Sequence, residues 1–218
     1  MNFLKKTHFI FLILSYFISV QAFSLDALEG AQAALNKIKG SPLVVLEIEK
    51  TTKSELMGTE SKSEGTIFVS SNRFRWDTSR PEESSIIYDG KTIWTIQIPP
   101  KGFKMPAQVT KMKLTPKSEG QIFLSSLFNS DLKNQFKSKK TTKEKVNKRF
   151  YLEPTQKNQM THALEILVSQ DGSLKEIAYN DEIENRISVS ISKIEKKSKI
   201  PKHLFNYTPP KGAQVSEL

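Results

Sequence analysis

Two aspartate–glycine pairs, each set between runs of β-forming residues, constrain the fold of this chain more than any other feature. Ser84 to Tyr88 and Thr92 to Ile98 flank Asp89-Gly90, while His162 to Gln170 and Ser173 to Asn180 flank Asp171-Gly172. Glycine after aspartate supplies the positive φ angles of a tight hairpin. Strands joined by such short turns must run antiparallel, because parallel neighbours need a long crossover. The core of the fold is therefore expected to be a meander of hairpins.

The flanking segments extend that meander. Leu43 to about Leu56 reads as extended, followed by a polar turn from Gly58 to Ser63. Glu64 to Ser71 forms a second strand with Ile67 and Val69 on one face, and Arg73 to Thr78 a third. Side chains alternate across a strand, so Phe74 and Trp76 share a face opposite Arg73, Arg75 and Asp77. A late strand carries Ile187, Val189, Ile191 and Ile194, whose spacing slips by one residue after Ile191.

Two segments break the β pattern. Ser24 suits the cap of a helix running to Ile38, with Leu25, Leu28, Ala31, Leu35 and Ile38 on one face, and Gly40-Ser41-Pro42 stops it. Between the strand groups, Ser118 and Gln121 fit a capping box ahead of Ile122, Phe123, Leu124, Leu127 and Phe128, and Asp131 to Phe136 suggests another short helix. This insert is apolar on more than one side. Such a helix buries more than one face, against ordinary core or against the sheet and a hydrophobic ligand.

The N-terminus bears on compartment. Lys5 and Lys6 precede an apolar run from Phe9 to Val20, which closes at Val20-Gln21-Ala22. That is the pattern of a cleaved export signal over residues 1–22, and at about a dozen residues the run is too short to anchor in a bilayer. The chain has no cysteine, so a lipid-bearing cysteine, disulfides and thiolate chemistry are all excluded. Residues 23–218 are expected to form one domain free in the periplasm. Without the signal, 31 basic residues face 23 acids. Clusters such as Lys137-Ser138-Lys139-Lys140 and Lys196-Lys197-Ser198-Lys199 read as solvated faces, with steering towards lipid headgroups or acidic surfaces as the alternative.

Catalytic chemistry finds little support. His8 lies in the signal, and His162 and His203 stand far apart, so no histidine metal site, cofactor or metal is expected. Carboxylates sit among lysines, as at Lys143-Glu144-Lys145, in the manner of surface pairs. The chain is read as a non-enzyme that does not bind nucleic acid. Aromatic residues are concentrated instead: Phe68, Phe74, Trp76, Tyr88, Trp94 and Phe103 lie within one block of strands.

Several motifs in that block occur in a recognisable order. Arg73-Phe74-Arg75-Trp76-Asp77 is followed by Pro81-Glu82-Glu83-Ser84 and by Tyr88-Asp89-Gly90-Lys91-Thr92-Ile93-Trp94, and the chain closes with Phe205-Asn206-Tyr207-Thr208-Pro209-Pro210-Lys211-Gly212-Ala213. This ordered set resembles the outer-membrane lipoprotein carrier (LolA) family across essentially the whole mature chain. The resemblance implies an α+β fold: an unclosed antiparallel half-barrel of about ten or eleven strands, with a helical lid over its hydrophobic concave face. It implies a periplasmic chaperone that receives acylated lipoproteins from an inner-membrane ABC transporter and passes them to an outer-membrane receptor. Phe74, Trp76, Trp94, Leu164, Ile166 and Val168 would line the acyl cavity, and Ile122, Phe123 and Leu127 would belong to the lid. The alternatives on the same half-barrel are a carrier of glycolipid or pigment and an envelope-stress sensor or adaptor; a monomer is expected. In one respect the chain departs from the family. Val69-Ser70-Ser71-Asn72 stands where the family carries Lys-Arg-Pro, whose arginine helps latch the lid.

Overall fold

Alternating apolar residues build the frame. In the computed structural model, which describes residues 27–100, 102–103, 105–115, 119–156, 163–181 and 183–218, twelve strands form one unclosed sheet. The export signal, Ser24, Leu25, Ser118 and His162 lie outside the described residues. Helix α1 (27–38) precedes β1 (Leu43–Ser54), β2 (Thr59–Ser70), β3 (Arg73–Arg80), β4 (Ser84–Tyr88), β5 (Thr92–Gln97) and β6 (Gln108–Lys113). Helix α2 (Phe123–Asn129) then leads to β7 (Phe136–Glu144), β8 (Asn147–Pro154), β9 (Leu164–Val168), β10 (Leu174–Asn180), β11 (Arg186–Lys197) and β12 (Gln214–Glu217).

The spatial order is β12-β6-β5-β4-β3-β2-β1-β11-β10-β9-β8-β7. Two meanders therefore join back to back where β1 meets β11, and every pair is antiparallel except β12 with β6. Both aspartate–glycine hairpins form as expected. Gly90 has φ 105°, and Asp89 Oδ1 accepts hydrogen bonds from the backbone N–H groups of Lys91 and Thr92, both at 2.8 Å. The slip after Ile191 is a real irregularity: Glu47 faces Lys193 while Ile48 faces Ile191, and the displaced Ser192 hydroxyl donates to the Glu47 carbonyl.

Some local expectations are corrected. The polar stretch read as a turn from Gly58 to Ser63 is mostly strand, because Thr59 to Ser63 pair with Lys50 to Ser54 in a hairpin arm reaching beyond the core. A 3-10 turn, Glu119–Ile122, precedes α2, whose N-cap Ile122 makes no side-chain cap. The helix expected from Asp131 to Phe136 is a single 3-10 turn, Leu132–Asn134, and Phe136 already belongs to β7. Strands β7 and β12 raise the count to twelve; their lysine-rich or fully exposed sequences carry no apolar alternation to announce them.

One face of the sheet curls around most of the apolar residues. Leu46, Ile67, Phe74, Ile93, Leu152, Leu164, Ile166 and Val189 from strands across the sheet join Ala31, Leu35 and Ile38 of α1 in one cluster. Helix α1 lies so close to β8 that a Cβ at Gly30 would stand 2.5 Å from the Phe150 ring. Only glycine permits that approach. The opposite, convex face differs between the two meanders. Over β8–β11 it carries an ion network in which Arg149 donates to Glu144 and Glu176, and Arg186 to both oxygens of Glu165. Burial works against the Arg149 charge, but Glu144 and Glu176 outweigh it and hold its pKa above the ordinary value.

Candidate functional site

Three elements converge on the concave face. Strand β3 presents Phe74 and Trp76, because alternate residues share a face; the pairings Phe74 with Tyr88 and Trp76 with Ile86 set them beside β4. Strand β9 contributes Leu164, Ile166 and Val168 by the same alternation, with Glu165 and Leu167 turned away. Helix α2 and its leading turn supply Ile122, Phe123 and Leu127. These eight residues join one hydrophobic cluster, within which Phe123 is only partly buried.

Trp94 departs from the expectation. In the β4–β5 hairpin Tyr88 faces Ile93 and Ile87 faces Trp94. Ile93 therefore points to the concave side, fully buried, while Trp94 joins Ile87, Ile96 and Val109 on the convex side. There its ring meets Tyr207 at 5.5 Å between centroids. Tyr207 belongs to the C-terminal run that crosses the convex face and delivers β12 to β6. The motif tryptophans, 18 positions apart, thus serve opposite faces.

The lid is held by partners that no sequence motif signalled. Lys39, just past α1, donates from Nζ to the Ser130 carbonyl at the end of α2 at 2.9 Å. A cation there also complements the negative end of the short helix. The Gln32 side-chain carbonyl accepts from the backbone N–H of Leu132 at 2.7 Å. On the sheet side the Phe123 ring packs against Tyr179 of β10, centroids 4.7 Å apart. Burial pushes the Tyr179 phenol above its usual pKa of 10.0, so it stays neutral against the lid. Neither arginine near the missing family latch replaces it: Arg73 lies over the Phe205 ring at 5.1 Å, and Arg75 bonds Asp77 and the Leu204 carbonyl.

Two further features shape the concave side. A cavity of about 480 Å³ opens at the end of the sheet nearest the α1 and α2 C-termini. Ile38, Val44, Val69, Phe128 and Ile200 give it apolar walls, and Lys39 and Arg73 stand at its edge. That volume lies in the range of ligand pockets. Lys50 of β1 is the one cation held over the aromatic floor, its Nζ 5.4 Å from the Trp76 ring centroid among the described residues. Burial lowers its pKa, and Asp181 only partly offsets this. Among the described residues no group of three or more His, Cys, Asp or Glu side chains is placed to hold a metal ion.

An unclosed antiparallel sheet curled around one apolar cluster, with α1 and the smaller α2 packed over it, defines a class of half-barrel folds. The model of one such family, the outer membrane lipoprotein carrier protein LolA, matches residues 49–208. The chain belongs to that family. An outer-membrane lipoprotein carrier protein of Legionella pneumophila (strain Lens) is 28% identical over 207 residues, covering 94% of this chain and 97% of that protein. Its counterpart in Proteus mirabilis is 28% identical over 200 residues, covering 90% and 91%. The one in Neisseria meningitidis serogroup B is 24% identical over 203 residues, covering 90% and 88%. Among solved structures, a LolA superfamily protein from Nitrosomonas europaea superposes with TM-score 0.45 at 10% identity, covering 85% of this chain and 98% of that one.

Proposed function

We propose that this protein is a periplasmic carrier that shelters the acyl chains of lipoproteins on their way from the inner to the outer membrane. The observation that carries the reading is the concave cluster itself. Phe74, Trp76, Leu164, Ile166 and Val168 belong to one apolar cluster that the strands between β3 and β9 complete, and beside α1 it is covered by the Glu119–Ile122 turn and the seven-residue helix α2, tied by few hydrogen bonds. Family membership and the names of the relatives point the same way.

Physical chemistry gives such a trough a purpose. Each methylene exposed to water costs about 0.8 kcal/mol, so a long acyl chain costs on the order of 12 kcal/mol. A lone lipoprotein would rarely leave a bilayer. An empty apolar trough is itself a hazard, and α2 collapsed onto the floor removes it. Cargo would then enter by displacing the lid, starting from the cavity beside Phe128. In this scheme Trp94 has no part in the acyl site, and Lys39, Gln32 and Tyr179 take over the latching that an arginine performs elsewhere in the family. The protein has no catalytic role in this reading; its partners are acylated lipoproteins, an inner-membrane ABC transporter that loads it and an outer-membrane receptor that unloads it. Residues 1–22 act as the export signal, and 23–218 work as one domain.

The deciding experiment is mass spectrometry of lipids and lipoproteins that co-purify with the protein from its own envelope. Acylated lipoproteins should be recovered with the native protein and lost with Trp76→Glu, which sets a charge on the floor. Recovery of glycolipid alone would replace this reading with a glycolipid carrier.

A further inference from the structure

A group of exposed lysines stands at one end of the strands. At the end that holds the cavity mouth lie the β7–β8, β9–β10 and β2–β3 turns, the last residues of β11 and the end of α1. The strand registers bring them together, and Lys37 Nζ bonds the Asp171 carbonyl across two of them. Lys37, Lys145, Lys148, Lys175 and Lys199 are all exposed there, and Lys197 beside them pairs with Glu195. Among the described acids at this end, Glu144 pairs with Arg149 and Glu195 with Lys193 and Lys197, while Asp171 and Asp89 accept only from serine hydroxyls or backbone N–H groups and keep their charge. The far end mixes its charges, with Glu55, Glu60, Glu82 and Glu83 beside Lys53 and Arg80 around the β1–β2 and β3–β4 turns.

A second observation sits within the basic end. The β7–β8 hairpin turns through Lys145 at φ 56°, and the next residue, Val146, is 64% exposed between Lys145 and Lys148. An apolar tip between lysines suits a headgroup layer, where the side chain enters and the ammonium groups remain among phosphates. The exposed cations are lysines; the two arginines at this end are already engaged, Arg73 over Phe205 and Arg149 with Glu144 and Glu176. Protein interfaces favour arginine and are depleted in lysine, whereas attraction to an anionic bilayer accumulates charge by charge and needs no fixed geometry.

We propose that this basic end docks on the anionic headgroup surface of a phospholipid bilayer, with Val146 at the contact and the cavity mouth turned towards the lipid. An amphiphile could then pass between bilayer and cavity without crossing open water. The docking is independent of the acyl-carrier reading, because empty protein suffices to measure it.

The test is flotation of the purified protein with vesicles of phosphatidylcholine alone and of phosphatidylcholine mixed with phosphatidylglycerol. Association should be about tenfold stronger with the mixed vesicles and should disappear at high salt. The double variant Lys145→Glu with Lys148→Glu should bind about tenfold more weakly, and Val146→Asp several-fold more weakly. Unchanged thermal melts would show that both variants fold. Leu56→Ser with Met57→Ser, at the far end, should bind as the native protein does. Absence of binding to either vesicle, equal binding to both, undiminished binding by the lysine variant, or loss of binding in the Leu56 and Met57 variant would each overturn the proposal; the first would redirect attention to an acidic protein partner.

Discussion

The two faces of strands β3 to β5 use the same kinds of residue for different ends. On the concave side Phe74, Trp76 and Ile93 join a cluster that extends through β9 and both helices. On the convex side Ile87, Trp94 and Ile96 form, with Val109, a small patch, closed by Tyr207 and Ala213 of the C-terminal run. Trp76 therefore contributes to a large surface that both helices cover, and Trp94 to a seal that anchors the chain's last segment. Aromatic content alone does not distinguish the two clusters; the elements that cover them do.

Substitutions in the two clusters should separate these roles. Phe74→Ala, deep in the concave cluster, should cost about 3–5 kcal/mol in urea unfolding, since the fully buried ring leaves a cavity. Arg149→Met tests the convex face of the other meander. It strands Glu176 and Glu144 without their partner and should cost about 2–3 kcal/mol by the same measurement. Trp94→Ala should cost about 1–2 kcal/mol and leave binding of a fluorescent acyl probe unchanged. Loss of probe binding in that variant would mean that the convex patch belongs to the site after all.

Smaller effects report on the lid and on charge. Lys39→Met removes the tie to Ser130 and should cost about 1 kcal/mol while raising hydrogen exchange in residues 123–129. Burial opposes the Glu165 charge, but Arg186 and Arg149 prevail and hold its pKa below the usual 4.5. Stability from that pair is complete above pH 4.5 and is lost as the pH falls through the lower folded-state value. Glu165→Gln should flatten this acid limb by about 1 kcal/mol, read from melting curves across acidic pH.

The legible part of the fold was the part written in local periodicity and turn chemistry. Both aspartate–glycine hairpins, the shared face of Phe74 and Trp76, and the irregularity after Ile191 could be read because each depends on neighbours within a few residues. Strand β7 was not legible: Lys137 to Lys143 has no apolar alternation, and pairing with β8 alone makes it a strand. Trp94 was misplaced because its motif fixes the hairpin but not which side of the sheet becomes concave. The lid ties escaped notice for a simpler reason. Lys39 and Ser130 lie 91 positions apart, and Gln32 and Leu132 lie 100 apart, with ordinary polar residues on both sides.

By itself, then, the amino-acid sequence determined that this chain is an antiparallel meander with two apolar helical pieces, and its ordered motifs pointed to the carrier family. Tertiary structure decided which alternate set of side chains curls inward, what ties α2 to its neighbours, and which lysines share the end beside the cavity. Periodicity is a property of near neighbours, whereas curvature, latching and the grouping of these lysines arise only when distant strands come into register.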